Sequence, residues 1–157
     1  MTTIAYRGGV MAADSLGTRG DIRVDGSQKI QRLPNAIIAF SGNISDGLLF
    51  VDWWRRGCLR DHPPVFRPNG LRDGQGPDFH ALVLTADGVS RWWEDLAPEP
   101  VLDEFFAIGS GAAAATAAMH MGASAAEAVR IAIKVDIYTG GEVICMALHP
   151  ARQGEQA

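Results

Sequence analysis

Five consecutive apolar residues, Ala36-Ile37-Ile38-Ala39-Phe40, stop abruptly at Ser41-Gly42-Asn43. A strand with one face in water alternates apolar and polar side chains, whereas a strand that is apolar throughout is covered on both faces. The turn signal Pro34-Asn35 bounds the run on its other side. The chain must therefore supply a layer above and a layer below this one strand, and that demand constrains its fold most.

The surrounding segments meet the demand in order. Thr3 to Tyr6 reads as a short strand, Arg7-Gly8-Gly9 as a hairpin turn, and Val10 to Asp14 as a second strand with small residues near its end. A polar loop then runs through Gly20 and Asp21, and Lys29-Ile30-Gln31-Arg32-Leu33 alternates as a half-buried strand. After Gly42, either Asn43 or Ser45 caps a helix that runs to about Arg56 and stops at Gly57. Residues 58–78 carry Pro63, Pro64, Pro68, Gly70, Gly74, Gly76 and Pro77, a long loop without regular structure. Phe79 to Thr85 and Val89 to Trp93 form a hairpin around Ala86-Asp87-Gly88, followed by an acidic connection, Glu94 to Asp103. Glu104 to Ile108 is a strand ending at Gly109-Ser110-Gly111, and the alanine-rich stretch Ala112 to Met121 is a helix suited to close packing. Ser124-Ala125-Ala126-Glu127 has the capping-box pattern and opens a helix to about Val135, and Glu142 to Leu148 is a last strand. The order predicts an α+β layered domain with a mostly antiparallel sheet system, spanning residues 1–150, and a polar tail over 151–157.

Composition excludes several functions. The net charge is -4 with no basic block, so nucleic-acid binding has no electrostatic basis. No apolar run reaches bilayer length, and the N-terminus does not read as a signal peptide. Cys58 and Cys145 lack metal-ligand spacing and are expected to stay reduced, which suits the cytoplasm. His62, His80, His120 and His149 are scattered, so no metal or other cofactor is expected. The pairs Trp53-Trp54 and Trp92-Trp93 read as core or interface residues.

Chemistry enters at the N-terminus. If Met1 is removed, Thr2 carries a hydroxyl and a free α-amine on one residue. An α-amine has a pKa of about 7.7–8.0, so near neutrality part of it is unprotonated and serves as a base. Pairing a threonine hydroxyl with its own amine is one way to activate this weak nucleophile. The plainer alternative is that Thr2-Thr3 only opens a strand.

Six short pieces carry a resemblance: Thr2-Thr3-Ile4, Ala12-Ala13-Asp14, Lys29-Ile30-Gln31-Arg32-Leu33, Ala39-Phe40-Ser41-Gly42, Ile108-Gly109-Ser110-Gly111 and Asp136-Ile137-Tyr138-Thr139-Gly140-Gly141. In these pieces and their order the chain resembles the proteasome β-subunit family, HslV-like N-terminal-nucleophile (Ntn) threonine peptidases and their short bacterial and phage relatives. The resemblance implies a four-layer αββα sandwich. It implies that Thr2 is the nucleophile, that Lys29 beside it favours the unprotonated amine and the forming alkoxide, and that Asp14 holds Lys29 charged. It further implies that the Gly42 N–H meets the oxyanion and that Ser110, Asp136 and Thr139 orient the amine. At the position of Thr139 the family more often has serine. Phe40 and Ile44 would line the pocket for the residue before the cut, with Phe40 narrowing it for small or flat side chains.

The implied activity is hydrolysis of peptide bonds through an acyl-enzyme on Thr2, in a homo-oligomeric ring fed with peptide or unfolded protein, with an ATP-dependent unfoldase as a further partner. Two other readings stand beside it: a structural or assembly subunit without turnover, and an amidohydrolase acting on a small amide. Taken singly, Asp14 and Lys29 also read as a surface ion pair, Gly109–Gly111 as a helix-capping turn, and Gly140-Gly141 as a hairpin. The middle of the chain departs from the family pattern of two long helices after the Gly42 region, since one helix and then residues 58–78 stand there. The expected helical layer is therefore shortened.

Overall fold

The computed structural model describes residues 2–66 and 78–148. In chain order the elements are β1 (Thr3–Arg7), β2 (Val10–Ala13), β3 (Gly17–Arg19), β4 (Ile22–Val24), β5 (Ile30–Arg32), β6 (Ile37–Gly42) and α1 (Ile44–Arg55). They continue with β7 (Phe79–Thr85), β8 (Gly88–Trp93), β9 (Glu99–Pro100), β10 (Phe105–Gly109), α2 (Ala112–His120), α3 (Ala125–Val135) and β11 (Ile144–Ala147). One sheet has the order β10-β1-β2-β11, a second the order β5-β6-β7-β8-β9, and β3 and β4 form a separate hairpin. Every pairing among the described residues is antiparallel.

The apolar run ending at Phe40 makes up most of β6, and its alternate residues enter two different cores. Ile37 and Ala39 lie with Ile4, Met11, Leu82 and Ile108, side chains of both large sheets. Ile38 and Phe40 lie with Phe50, Val51 and Trp53 of α1 and with Phe79 of the neighbouring strand β7. Burying one such aliphatic or aromatic side chain contributes about 1.5–3 kcal/mol, so β6 alone anchors both cores. A third core joins Ala5 and Ala12 of the first sheet to Ala115 and Met119 of α2 and to Ala128, Val129 and Ala132 of α3. Alanine on both sides of that contact lets helix and sheet backbones approach closely.

Local capping accounts for the helix ends. Asn43 caps α1, its side chain accepting from the Ser45 N–H at 2.9 Å. Ser124 and Glu127 form a capping box at the start of α3. The structure departs from the sequence expectation in two places. The stretch expected to be a polar loop through Gly20 and Asp21 forms the β3–β4 hairpin, whose strands are three residues each, too short to establish a period, and leave Ile22 and Val24 exposed. The connection after Trp93 contains β9, two residues held to β8 partly by the Arg91–Glu99 ion pair. Residues 58–66 of the expected long loop form neither helix nor strand, and α1 stands alone between β6 and β7 among the described residues. The remainder of that loop, 67–77, and the expected tail, 151–157, lie outside the described residues.

Candidate active site

Strand pairing brings Thr2 to the meeting point of three strand ends. The β1–β2 register sets Ile4 against Ala13, so Asp14 lies beside Thr3 and accepts its N–H at 2.9 Å. The β1–β10 register sets Thr3 against Gly109, so Thr2 lies beside Gly109 and Ser110. Gly109 has φ +95°, and a Cβ there would fall 1.9 Å from the Thr2 carbonyl oxygen. No larger residue fits between β10 and the residue before β1 without moving one of them.

Lys29 immediately precedes β5, where its carbonyl accepts the Phe40 N–H at 2.9 Å. Its Nζ donates to both carboxylate oxygens of Asp14, at 3.0 and 3.1 Å. The two side chains are 3% and 0% exposed. Asp14 also accepts backbone N–H groups from Leu16 at 3.3 Å and Gly140 at 3.0 Å, so five donor contacts, counting that from Thr3, converge on it. Burial pulls the Lys29 pKa below the usual lysine value, opposed by the charge and hydrogen bonds of Asp14 and, more weakly, by the charge of Asp136. A buried ion pair of this kind is no net source of stability, because desolvation offsets the attraction. Its position beside Thr2 makes a chemical role the better account.

On the other side of Thr2 runs a chain of hydroxyls and a carboxylate. The Thr2 N–H donates to Ser110 Oγ at 3.3 Å, and Ser110 Oγ donates to Asp136 Oδ2 at 2.5 Å. Thr139 Oγ1 donates to the same Asp136 oxygen at 2.6 Å and lies 2.7 Å from Thr3 Oγ1. With Thr139 donating to the carboxylate, Thr3 is left to donate to Thr139. Burial pushes the Asp136 pKa up, but the Ser110 and Thr139 hydroxyls and the Tyr138 N–H outweigh it and hold the carboxyl below its usual value. Ser110 is thereby aimed at the nitrogen that Met1 removal would free.

Two pockets meet at Thr2. The first, about 490 Å³, is lined by Lys29, Gly42 and Ile44, with Arg19 and Asn43 also in its wall. Phe40 belongs to this wall, but it is 1% exposed and its ring lies over Gly47 of α1, so it forms the floor. Ile44 at 40% exposed stands at the rim. The second pocket, about 520 Å³, is lined by Gly42, Asp78, His80, Trp93 and Ser110. Gly42 thus borders both pockets, with φ +97° at the end of β6. Among the sequence-proposed residues, Thr2, Lys29, Phe40, Gly42, Ile44 and Ser110 line these pockets, while Asp14, Asp136 and Thr139 stand behind them as hydrogen-bond partners.

Sequence reasoning missed Arg19, Asp78, His80 and Trp93 in the pocket walls. Arg19 sits on the hairpin that went unrecognised. His80 pairs opposite Ser41 across β6 and β7, a register that no sequence spacing announces. Its ring stacks on Trp93 with centroids 3.6 Å apart, and its Nε2 is buried without a hydrogen-bond partner. Burial, helped by the charge of Arg91, lowers its pKa to about 4. Among the described residues no group of His, Cys, Asp and Glu has the arrangement to hold a metal, and no helix is long and apolar enough to cross a membrane.

A threonine hydroxyl, a buried lysine lining the same pocket and a nitrogen hydrogen-bonded to Ser110 meet where two pockets join, an arrangement that acyl transfer could use. No protein-family model matches the chain, and no curated protein does. Solved structures do share the fold. Thiobacillus denitrificans BPH in complex with epoxomicin superposes with a TM-score of 0.66 at 21% identity, over 95% of this chain and 99% of that one. Thiobacillus denitrificans BPH in a second structure gives 0.66 at 20% identity, over 95% and 98%. Eukaryotic HslV from Trypanosoma brucei gives 0.66 at 20% identity, over 92% and 97%. At these identities the likeness concerns the fold, a mixed α/β arrangement that the chain shares over nearly its whole length.

Proposed function

We propose that the chain is a threonine-type Ntn peptidase subunit, built as an αββα sandwich with one short helical layer and working in a homo-oligomer in the cytoplasm. The observation that carries the reading is the buried Lys29–Asp14 pair, whose lysine lines the pocket that Thr2 also lines and whose carboxylate stands behind it. An ammonium held there favours the unprotonated α-amine and lowers the cost of an alkoxide on the Thr2 hydroxyl. The fold shared with HslV supports the same reading.

The reaction proceeds in two halves. Thr2 Oγ1 attacks the carbonyl carbon of the peptide bond while its proton passes to the Thr2 α-amine. The tetrahedral intermediate carries its negative charge beside Gly42, the glycine bordering both pockets. Its collapse breaks the C–N bond, and the α-ammonium returns the proton to the departing amine. The ester left on Thr2 is then attacked by water, whose proton again goes to the α-amine and from there to Oγ1. The sum is one amide and one water giving one carboxylic acid and one amine. Ser110, held by Asp136, keeps the α-amine aligned for both proton transfers.

Epoxomicin, the compound bound in one of the structures that share the fold, supplies a probe. Incubating the mature protein with it, then peptide mapping by mass spectrometry, is expected to place the added mass on Thr2, with Met1 absent. Thr2→Ala is expected to lose the adduct and to lower peptide turnover at least about 1,000-fold, the loss typical of a missing nucleophile. Retention of Met1 on all native protein, or unchanged turnover in Thr2→Ala, refutes the reading.

A further inference from the structure

The two pockets beside Thr2 differ in charge. Arg19 and Lys29 line the first, and no carboxylate is among the described residues of its wall. Asp14 neutralises Lys29 from behind, which leaves Arg19 as the excess charge. Asp78 and Glu94 line the second pocket. His80 is neutral near pH 7, since its pKa is lowered to about 4 by burial and by Arg91. Arg91 is not among the residues lining this pocket, and its guanidinium, 5.7 Å from the Trp93 ring, is paired with both carboxylate oxygens of Glu99, so Asp78 and Glu94 are the charged side chains of the wall itself. The second wall is therefore acidic and carries an aromatic face, the His80–Trp93 stack.

The Thr2 nitrogen tells which pocket takes which half of the substrate. That nitrogen donates to Ser110 Oγ, and Ser110 lines the second pocket. In the proposed reaction the same nitrogen protonates the departing amine, so the amine half must lie on the Ser110 side. The acyl half then occupies the first pocket, between Arg19 and the Phe40 floor. We infer that the site selects peptide bonds by charge on both sides, favouring an acidic or small neutral residue on the acyl side and a basic residue on the amine side. This rests on the peptidase reading above and adds the substrate class to it. A long Lys or Arg side chain suits the second pocket doubly, since its cation meets Asp78 or Glu94 while its stem covers Trp93.

The test uses three eight-residue peptides of alanine and glycine around a central Asp-Arg, Arg-Asp or Ala-Ala pair, incubated with the assembled wild-type protein. Cleavage sites and kcat/KM are read by mass spectrometry. Two exposed charge contacts of ordinary strength combine to about a tenfold preference for cutting Asp-Arg over Arg-Asp. The ratio is expected to shrink in 1 M salt, where screening is short-ranged. The double variant Arg19→Glu, Glu94→Lys is expected to invert the order. Equal rates for Asp-Arg and Arg-Asp, or faster cutting of Arg-Asp by the wild type, overturn the inference even where epoxomicin labels Thr2. If no peptide is cut and Thr2 takes no label, the peptidase reading has failed. Binding of the fluorescently tagged peptides to Thr2→Ala by polarisation still decides the charge preference: tighter binding of Asp-Arg supports it, and indifference overturns it.

Discussion

Asp14 shows how a residue's surroundings convert a common ion pair into a constraint. Three backbone N–H groups and the Lys29 ammonium all point at its carboxylate. Asp14→Asn leaves Lys29 charged in a buried place, which costs about 3–5 kcal/mol when one partner of a buried pair is removed. The double variant Asp14→Asn, Lys29→Met is expected to recover part of that loss, and urea midpoints of the three chains measure it. The pH dependence has a definite sign. The Lys29 pKa is already lowered by burial, so the penalty in Asp14→Asn is present below the folded-state pKa and relieved as pH rises through it. His80 runs through a different window. Its folded pKa of about 4 lies below the ordinary value of 6.5. Between those values the unfolded chain binds the proton and the folded chain does not, so stability falls as the solution is acidified. With allowance for partial solvent screening, the loss is about 1–2 kcal/mol. His80→Gln is expected to lose that much less between pH 6.5 and 4 in matched thermal melts, and identical pH profiles for the two chains would contradict the assignment.

At the scale of elements, the helices and the long strands were legible because their signals are local. The capping pattern of Ser124 and Glu127, the turn at Asp87-Gly88 and the unbroken apolar run of β6 each state their structure within a few residues. The β3–β4 hairpin was not legible, because its short exposed strands bury little and their pairing is decided by what lies around them. Arg19 was missed for the same reason. The site divides likewise. Thr2, Asp14, Lys29 and Ser110 sit at strand ends whose sequences could be read, whereas His80 and Trp93 reach the second pocket through the β6–β7–β8 registers. Registers join residues far apart in sequence, and no motif records them. Gly109 links the two levels, since its missing Cβ lets β10 lie against Thr2. Gly109→Ala is expected to destabilise the fold by about 2 kcal/mol or more, from the positive φ and the overlap together. It should also slow turnover more than it raises KM, because the residue displaced is Thr2, the proposed nucleophile. A variant with wild-type kcat would show that β10 and Thr2 are not so tightly coupled.

For the whole molecule, the surfaces of α1 and of α2 and α3 leave apolar side chains in water. On α1 these are Leu48 and Leu49, 47% and 42% exposed. Around α2 and α3 they are Met121, Val135 and Ile137, 88%, 69% and 79% exposed. Scattered apolar residues on a surface need no explanation, but several together along α1 and around α2 and α3 favour association. A second helix packed beside α1 would cover Leu48 and Leu49, and none lies there among the described residues. Neighbouring copies can cover these side chains, and an interface joining the α1 surface of one copy to the α2–α3 surface of the next is heterologous, which closes into a ring when the rotation between copies permits. The expected result of sedimentation at micromolar concentration is a species of several times 16.8 kDa. Substituting Val135→Lys with Ile137→Lys is expected to shift it towards smaller species while circular dichroism stays unchanged. Turnover should fall with the assembly if confinement matters to the site. A chain that sediments as a monomer and still cuts peptides through Thr2 would mean that one copy suffices, and that the exposed helical faces serve something other than self-association.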